Sequence, residues 1–167
     1  LKIPSISTKD ENKKNCIHAS DWLRKELAEI GFDVDVITTS GNPMVIAKFR
    51  GNGPHYLFYG HYDVQPIDPI ELWKTDPFIP VIEDTHSGKV LRSRGSSDDK
   101  GQLMTFIEAC RSFINTSGTL PCEITILLEG EEEIGSPSMP KFLKEHIDKF
   151  KVDYALVCDT NMWNENT

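Results

Sequence analysis

Residues 123–133 read Glu123-Ile124-Thr125-Ile126-Leu127-Leu128-Glu129-Gly130-Glu131-Glu132-Glu133, an apolar run that stops at a block of acids. A short run rich in β-branched residues and apolar on both faces predicts a strand in the middle of a covered sheet. Two other stretches repeat this layout. Residues 56–59 are Tyr-Leu-Phe-Tyr and pass through Gly60 into His61-Tyr62-Asp63. Residues 154–158 are Tyr-Ala-Leu-Val-Cys and run into Asp159. Between these strands lie helical patterns. Leu103, Phe106, Ile107, Cys110 and Phe113 recur at helical spacing over residues 99–113, and residues 138–150 form a second helix. Alternating helix and strand predicts an α/β fold with helices on the faces of the sheet.

Upstream, Cys16, Ala19, Leu23, Leu27 and Ile30 mark a helix over residues 10–30, with Gly31 as its stop. Residues 32–38 and 44–49 read as strands around the turn Gly41-Asn42-Pro43. Residues 78–82 and 89–92 read as two short strands.

The 167 residues suit one domain or a large part of one. Hydrophobic residues are 38% and charged residues 26%, which excludes a disordered tail and a collagen-like fibre. No apolar run approaches the roughly 20 residues of a membrane span. A net charge of −8 predicts no nucleic-acid partner and no anionic membrane partner. The four cysteines, at positions 16, 110, 122 and 158, form no Cys-x-x-Cys pair. They read as reduced thiols, which predicts a cytoplasmic protein. No secretory leader pattern opens the chain.

In open α/β sheets the carboxyl ends of the strands form the ligand crevice, so His61, the acids at 129–133 and Asp159 can meet there. Asp98 and Asp99, within Arg94-Gly95-Ser96-Ser97-Asp98-Asp99-Lys100-Gly101, stand between a short strand and a helix. Two carboxylates about 4 Å apart repel by about 4 kcal/mol at an effective dielectric near 20. Several together need protons or a cation. One imidazole among carboxylates suits zinc or manganese better than calcium. Asp63 is near enough in sequence to fix the second nitrogen of His61. Taken singly, each feature has a plain alternative: a surface histidine, a solvated acidic turn at 131–133, or a helix cap at 98–99.

Together, Gly60-His61-Tyr62-Asp63-Val64-Gln65-Pro66, Trp73, Pro77-Phe78, the 94–101 stretch and Glu129-Gly130-Glu131-Glu132-Glu133-Ile134-Gly135-Ser136 strongly resemble the dinuclear zinc metallopeptidases of the aminoacylase, carnosinase and glutamate carboxypeptidase family. The dipeptidase-like branch is the nearest in wording. The resemblance implies a three-layer α/β/α domain with a mixed, mostly parallel sheet. It implies metal ligands at His61, Asp98, Glu133 and Asp159, with Asp98 bridging two zinc ions (manganese or cobalt being possible substitutes). Glu132 would be the general base, and Asp63 would orient the imidazole. Asp159 is carried by the shorter stretch Cys158-Asp159-Thr160-Asn161-Met162-Trp163. The implied reaction is metal-dependent hydrolysis of a peptide or amide bond in a dipeptide or acyl-amino acid, with carboxypeptidase and N-acyl-amino-acid deacylase as alternatives.

The family also has a further imidazole ligand for the second metal, a smaller inserted domain that forms homodimers, and C-terminal segments that complete the catalytic domain. None of these has a counterpart here, and His18, His55, His86 and His146 sit in no matching motif. Residues 1–167 are therefore expected to be the N-terminal portion of the catalytic domain, inactive alone. A phospho-accepting receiver domain is disfavoured, because it needs an acidic pair after its first strand and no strand-end histidine. A binding protein descended from the peptidase is disfavoured by the presence of both Glu132 and Glu133.

Overall fold

The computed structural model describes residues 1–86 and 88–161. Met162 and Trp163, which close the stretch after Asp159, lie outside the described residues. The elements in chain order are α1 (Lys13–Glu29), β1 (Asp33–Ile37), β2 (Met44–Phe49), β3 (His55–His61), β4 (Val81–Thr85), β5 (Gly88–Arg92), α2 (Lys100–Ser117), β6 (Glu123–Glu129), α3 (Met139–His146) and β7 (Tyr154–Val157). Short 3-10 turns precede α1 and extend α3 through Phe150.

Five strands pair in the order β1-β2-β6-β3-β7, while β4 and β5 form a separate hairpin. The sheet is mixed, as expected, but its pairs divide evenly rather than being mostly parallel. β3 pairs in parallel with β6 and β7, and β2 pairs antiparallel with β1 and β6. The reason lies in the connections. The short turn between β1 and β2 permits only antiparallel neighbours, whereas helices carry the chain from β3 to β6 and from β6 to β7. β6 inserts between β2 and β3, so it runs against one and with the other.

Side chains alternate across the sheet and bury two separate layers. Val45, Ala47, Phe58, Ile124, Ile126 and Leu128 pack against Cys16, Ala19, Leu23 and Leu27 of α1 and Leu103, Ile107 and Cys110 of α2. Met44, Ile46 and Leu127 pack against Phe142 of α3, with Leu57, Tyr59 and Phe150 alongside. The α/β/α sandwich follows directly from strands that are apolar on both faces. β7 is the edge strand and all four of its residues are exposed.

Candidate metal centre

β3 and β6 end level with each other, His61 lying opposite Glu129 in the parallel register. Beyond these ends the chain must turn, and three buried contacts fix the turn after β3. The Tyr62 N–H donates to the Glu129 carbonyl (2.8 Å), and its phenol donates to the Pro43 carbonyl (2.6 Å). Ser5 Oγ donates to the Tyr62 carbonyl (2.7 Å). Tyr62 is thereby an anchor in the core, which leaves His61 and Asp63 on either side of it to face the crevice.

His61 is fully buried. Its Nδ1 lies 3.1 Å from the Asp63 carbonyl and 3.3 Å from Asp63 Oδ1, so that nitrogen carries the proton and donates. Its backbone N–H donates to Asp99 Oδ2 (2.9 Å). Nε2 faces three other carboxylates: Asp98 Oδ1 at 3.0 Å, Asp159 Oδ2 at 3.4 Å and Glu132 Oε2 at 3.8 Å. Despite these short distances Nε2 is buried without a well-formed hydrogen bond.

Asp63 does more than orient the imidazole. Its Oδ1 accepts from the Glu132 N–H (3.2 Å) and its Oδ2 from the Glu133 N–H (3.1 Å). One buried carboxylate thus ties the end of β3 to the acidic turn that follows β6. The turn is closed from below by Ser136, whose Oγ donates to Glu129 Oε1 (2.9 Å) beside the Tyr59 hydroxyl (2.6 Å). Asp98 comes from the 94–101 loop, which closes tightly: the Gly101 N–H donates to the Gly95 carbonyl (3.1 Å), and a Cβ at Gly101 would lie 2.0 Å from the Ser96 carbonyl oxygen. α2 starts at Lys100, so Asp98 and Asp99 project from the approach to its first turn.

The four expected ligands and Glu132, the expected base, lie close together. Donor atoms of His61, Asp98 and Glu133 lie within 4.8 Å of one another, as do those of His61, Glu132 and Asp159. Burial opposes a charge on His61, but Asp63, Asp99 and Glu132 outweigh it and raise the imidazole to about 10. Burial also pushes Asp99 up to about 6, partly offset by His61. The His61 shift expresses surrounding negative charge that outweighs burial, whereas the Asp99 shift is first a cost of burial. An imidazole nitrogen that is buried, lacks a good acceptor and is ringed by carboxylates fits a divalent cation.

Two features depart from a simple reading of the sequence. Glu129, at a strand end like His61, is not among the clustered donors: its Oε1 accepts from Tyr59 and Ser136, while its Oε2 is buried without a hydrogen-bond partner. Gln65 and Asp99, neither predicted to act, touch the donors directly: Gln65 bonds Glu133, and Asp99 bonds His61. Both lie in quoted motifs, but only the contacts distinguish them from their neighbours.

Known proteins resemble this chain over nearly its whole length. The chain is 29% identical to a Cys-Gly metallodipeptidase of Candida albicans, over 98% of its own length and 36% of that protein's. It is 33% identical to a succinyl-diaminopimelate desuccinylase of Buchnera aphidicola, over 98% of its own length and 41% of that protein's. The crystal structure of human carnosine dipeptidase 1 superposes with a TM-score of 0.86 at 27% identity, over 97% of this chain and 37% of that one. The chain thus spans roughly two-fifths or less of each of these relatives. Residues 57–167 match the model of Peptidase family M20/M25/M40, a span that opens inside β3 and takes in every donor of the cluster. The chain belongs to peptidase family M20/M25/M40.

Proposed function

We propose that residues 1–167 form the N-terminal portion of the catalytic domain of a metal-dependent hydrolase that cleaves the peptide or amide bond of a dipeptide or acyl-amino acid. The observation that carries this reading is the buried His61 Nε2, ringed by Asp98, Asp159 and Glu132 without a good hydrogen-bond acceptor. His61, Asp98 and Asp159 would hold one zinc ion, and Asp98 with Glu133 a second. Manganese or cobalt would suit the same donors. Bound there, the ions would polarise a carbonyl and make a water acidic near neutral pH.

The protein's own groups divide the remaining work. Glu132 is about one-third exposed, with one oxygen 3.8 Å from the imidazole, so it reaches both the crevice and solvent. It takes the proton from the attacking water and passes it to the leaving amine. Asp63 holds the imidazole in one tautomer and fixes the main chain under Glu132 and Glu133. The rest of a longer protein would supply a further imidazole and a dimerisation domain, and the enzyme would act as a homodimer.

Dipeptides are the first substrate class, in keeping with the names of the relatives. Removal of an acyl group is the second reading, favoured by the 33% identity to a desuccinylase. The test is Glu132→Gln in the full-length protein, assayed on dipeptides and on N-succinyl and other N-acyl amino acids. Loss of general acid–base catalysis predicts a fall of about 10²–10⁴ in kcat with metal content retained. Turnover near wild type would refute the assignment, and loss of metal would move Glu132 into the ligand set.

A further inference from the structure

Glu133 is held at both ends. Its N–H donates to Asp63, as described, and its carboxylate is gripped by a single neutral residue. The Gln65 N–H donates to Glu133 Oε1 (3.1 Å), and Gln65 Nε2 donates to Oε2 (2.6 Å). The same nitrogen also reaches the Glu133 carbonyl at 3.4 Å. A glutamate side chain left free loses rotamer freedom when it is fixed. Here that ordering is already done by Gln65. Each oxygen accepts one hydrogen bond from Gln65 and keeps a lone pair for another partner.

The grip is itself braced. Pro66 follows Gln65, and its carbonyl accepts from Arg94 Nη2 (2.7 Å). The Arg94 guanidinium lies over the Trp73 ring at 5.2 Å, and Trp73 Nε1 donates to the Ile67 carbonyl (2.9 Å). Residues 65–73 are therefore tied to the loop that carries Asp98. The donor type also matters. A lysine at position 65 would bond Glu133 equally well, but would neutralise it and repel an incoming cation. An amide orients the carboxylate and leaves its charge intact.

We propose that Gln65 is a positioning residue that presets Glu133 as a metal donor. The inference rests on the metal-hydrolase reading, in which Glu133 is a ligand. Partners that orient metal ligands typically contribute about 10–100-fold to affinity, and Gln65→Met removes one of the two donors while keeping the chain length. Cobalt(II) is the probe, titrated into the full-length protein by calorimetry and visible absorption. The set is wild type, Gln65→Met, Glu133→Ala and the double variant.

Gln65→Met should weaken the cobalt equivalent that depends on Glu133 by about tenfold, change its absorption envelope, and leave the other equivalent within about twofold. The double variant should bind as Glu133→Ala does, because Gln65 acts only through that carboxylate. A wild-type isotherm in Gln65→Met would overturn the proposal. So would a double variant whose loss is the full product of the two single losses, since that marks a general structural effect. An unchanged isotherm in Glu133→Ala would instead remove Glu133 from the ligand set, and the inference with it.

Discussion

Asp63→Asn isolates the carboxylate that joins β3 to the acidic turn. The variant keeps the shape of the side chain and one acceptor oxygen. In the native protein both oxygens are in use, one on each amide of Glu132 and Glu133. The new amide nitrogen must therefore face an N–H group, donor against donor. Losing a hydrogen bond to a charged acceptor costs about 1.5–3 kcal/mol, and the surviving bond is weakened by loss of the charge. The sum is about 2–4 kcal/mol, or a fall of roughly 5–15 °C in Tm for a chain of this size. Part of that loss is the pairing of Asp63 with the charged His61. The imidazole has an ordinary value near 6.5 and is raised to about 10 in the fold. Its contribution is therefore fully present below about pH 6.5 and fades as pH rises through 10. Urea unfolding of the metal-free protein from pH 6 to pH 10 should find the largest penalty at the acid end and the amide share alone at the alkaline end. A penalty that is flat with pH would refute the ion pair. An unchanged midpoint at every pH would refute the grip on Glu132 and Glu133.

Asp98 is more than half exposed, so Asp98→Ala should shift stability by less than about 0.5 kcal/mol while weakening every bound metal. Unchanged metal stoichiometry by atomic absorption would leave it as a helix-flanking acid. Because His61 keeps its proton up to about pH 10, zinc must displace that proton at neutral pH. Affinity should then rise about tenfold per pH unit between 6 and 8, and calorimetry in buffers of different ionisation enthalpy should count about one proton released. An affinity independent of pH would contradict the raised imidazole. Gly101→Ala places a methyl against the Ser96 carbonyl, so denaturant melts should record a loss of about 1–3 kcal/mol, and wild-type stability would refute the tight closure of the loop.

The apolar runs that became β2, β3 and β6 were legible because a strand covered on both faces needs side chains of one kind throughout; β7 carries the same kind of run although its four residues are exposed. The helices were legible from the spacing of Leu23 and Leu27, or Leu103 and Ile107. The insertion of β6 between β2 and β3 was not, since no local signal states which neighbour a buried strand will choose. At the centre, charge crowding marked only the strand-end acids and the histidine, and it was the family resemblance that singled out His61, Asp98, Glu132, Glu133 and Asp159. Glu129 carried the same apparent signal but lies outside the donor groups, one oxygen taken by a tyrosine seventy residues earlier in the chain. Gln65 escaped for the opposite reason: an uncharged, exposed residue raises no electrostatic question until its partner is seen.

The donors of the cluster come from four separate segments, running from His61 at the end of β3 to Asp159 after β7. An unfolded chain consequently offers a metal ion no complete site, only local acidic pairs and a histidine far apart along a flexible coil. The imidazole and the acidic turn come together only when β3 has paired with β6, and Asp159 only when β7 has joined the edge. Metal capture is therefore a late event that reads out completed long-range pairing rather than a nucleus that guides it. Such an ion stabilises by mass action on the finished fold. Its kinetic signature is a slower unfolding limb with an unaltered refolding rate, as for any contact absent from the transition state.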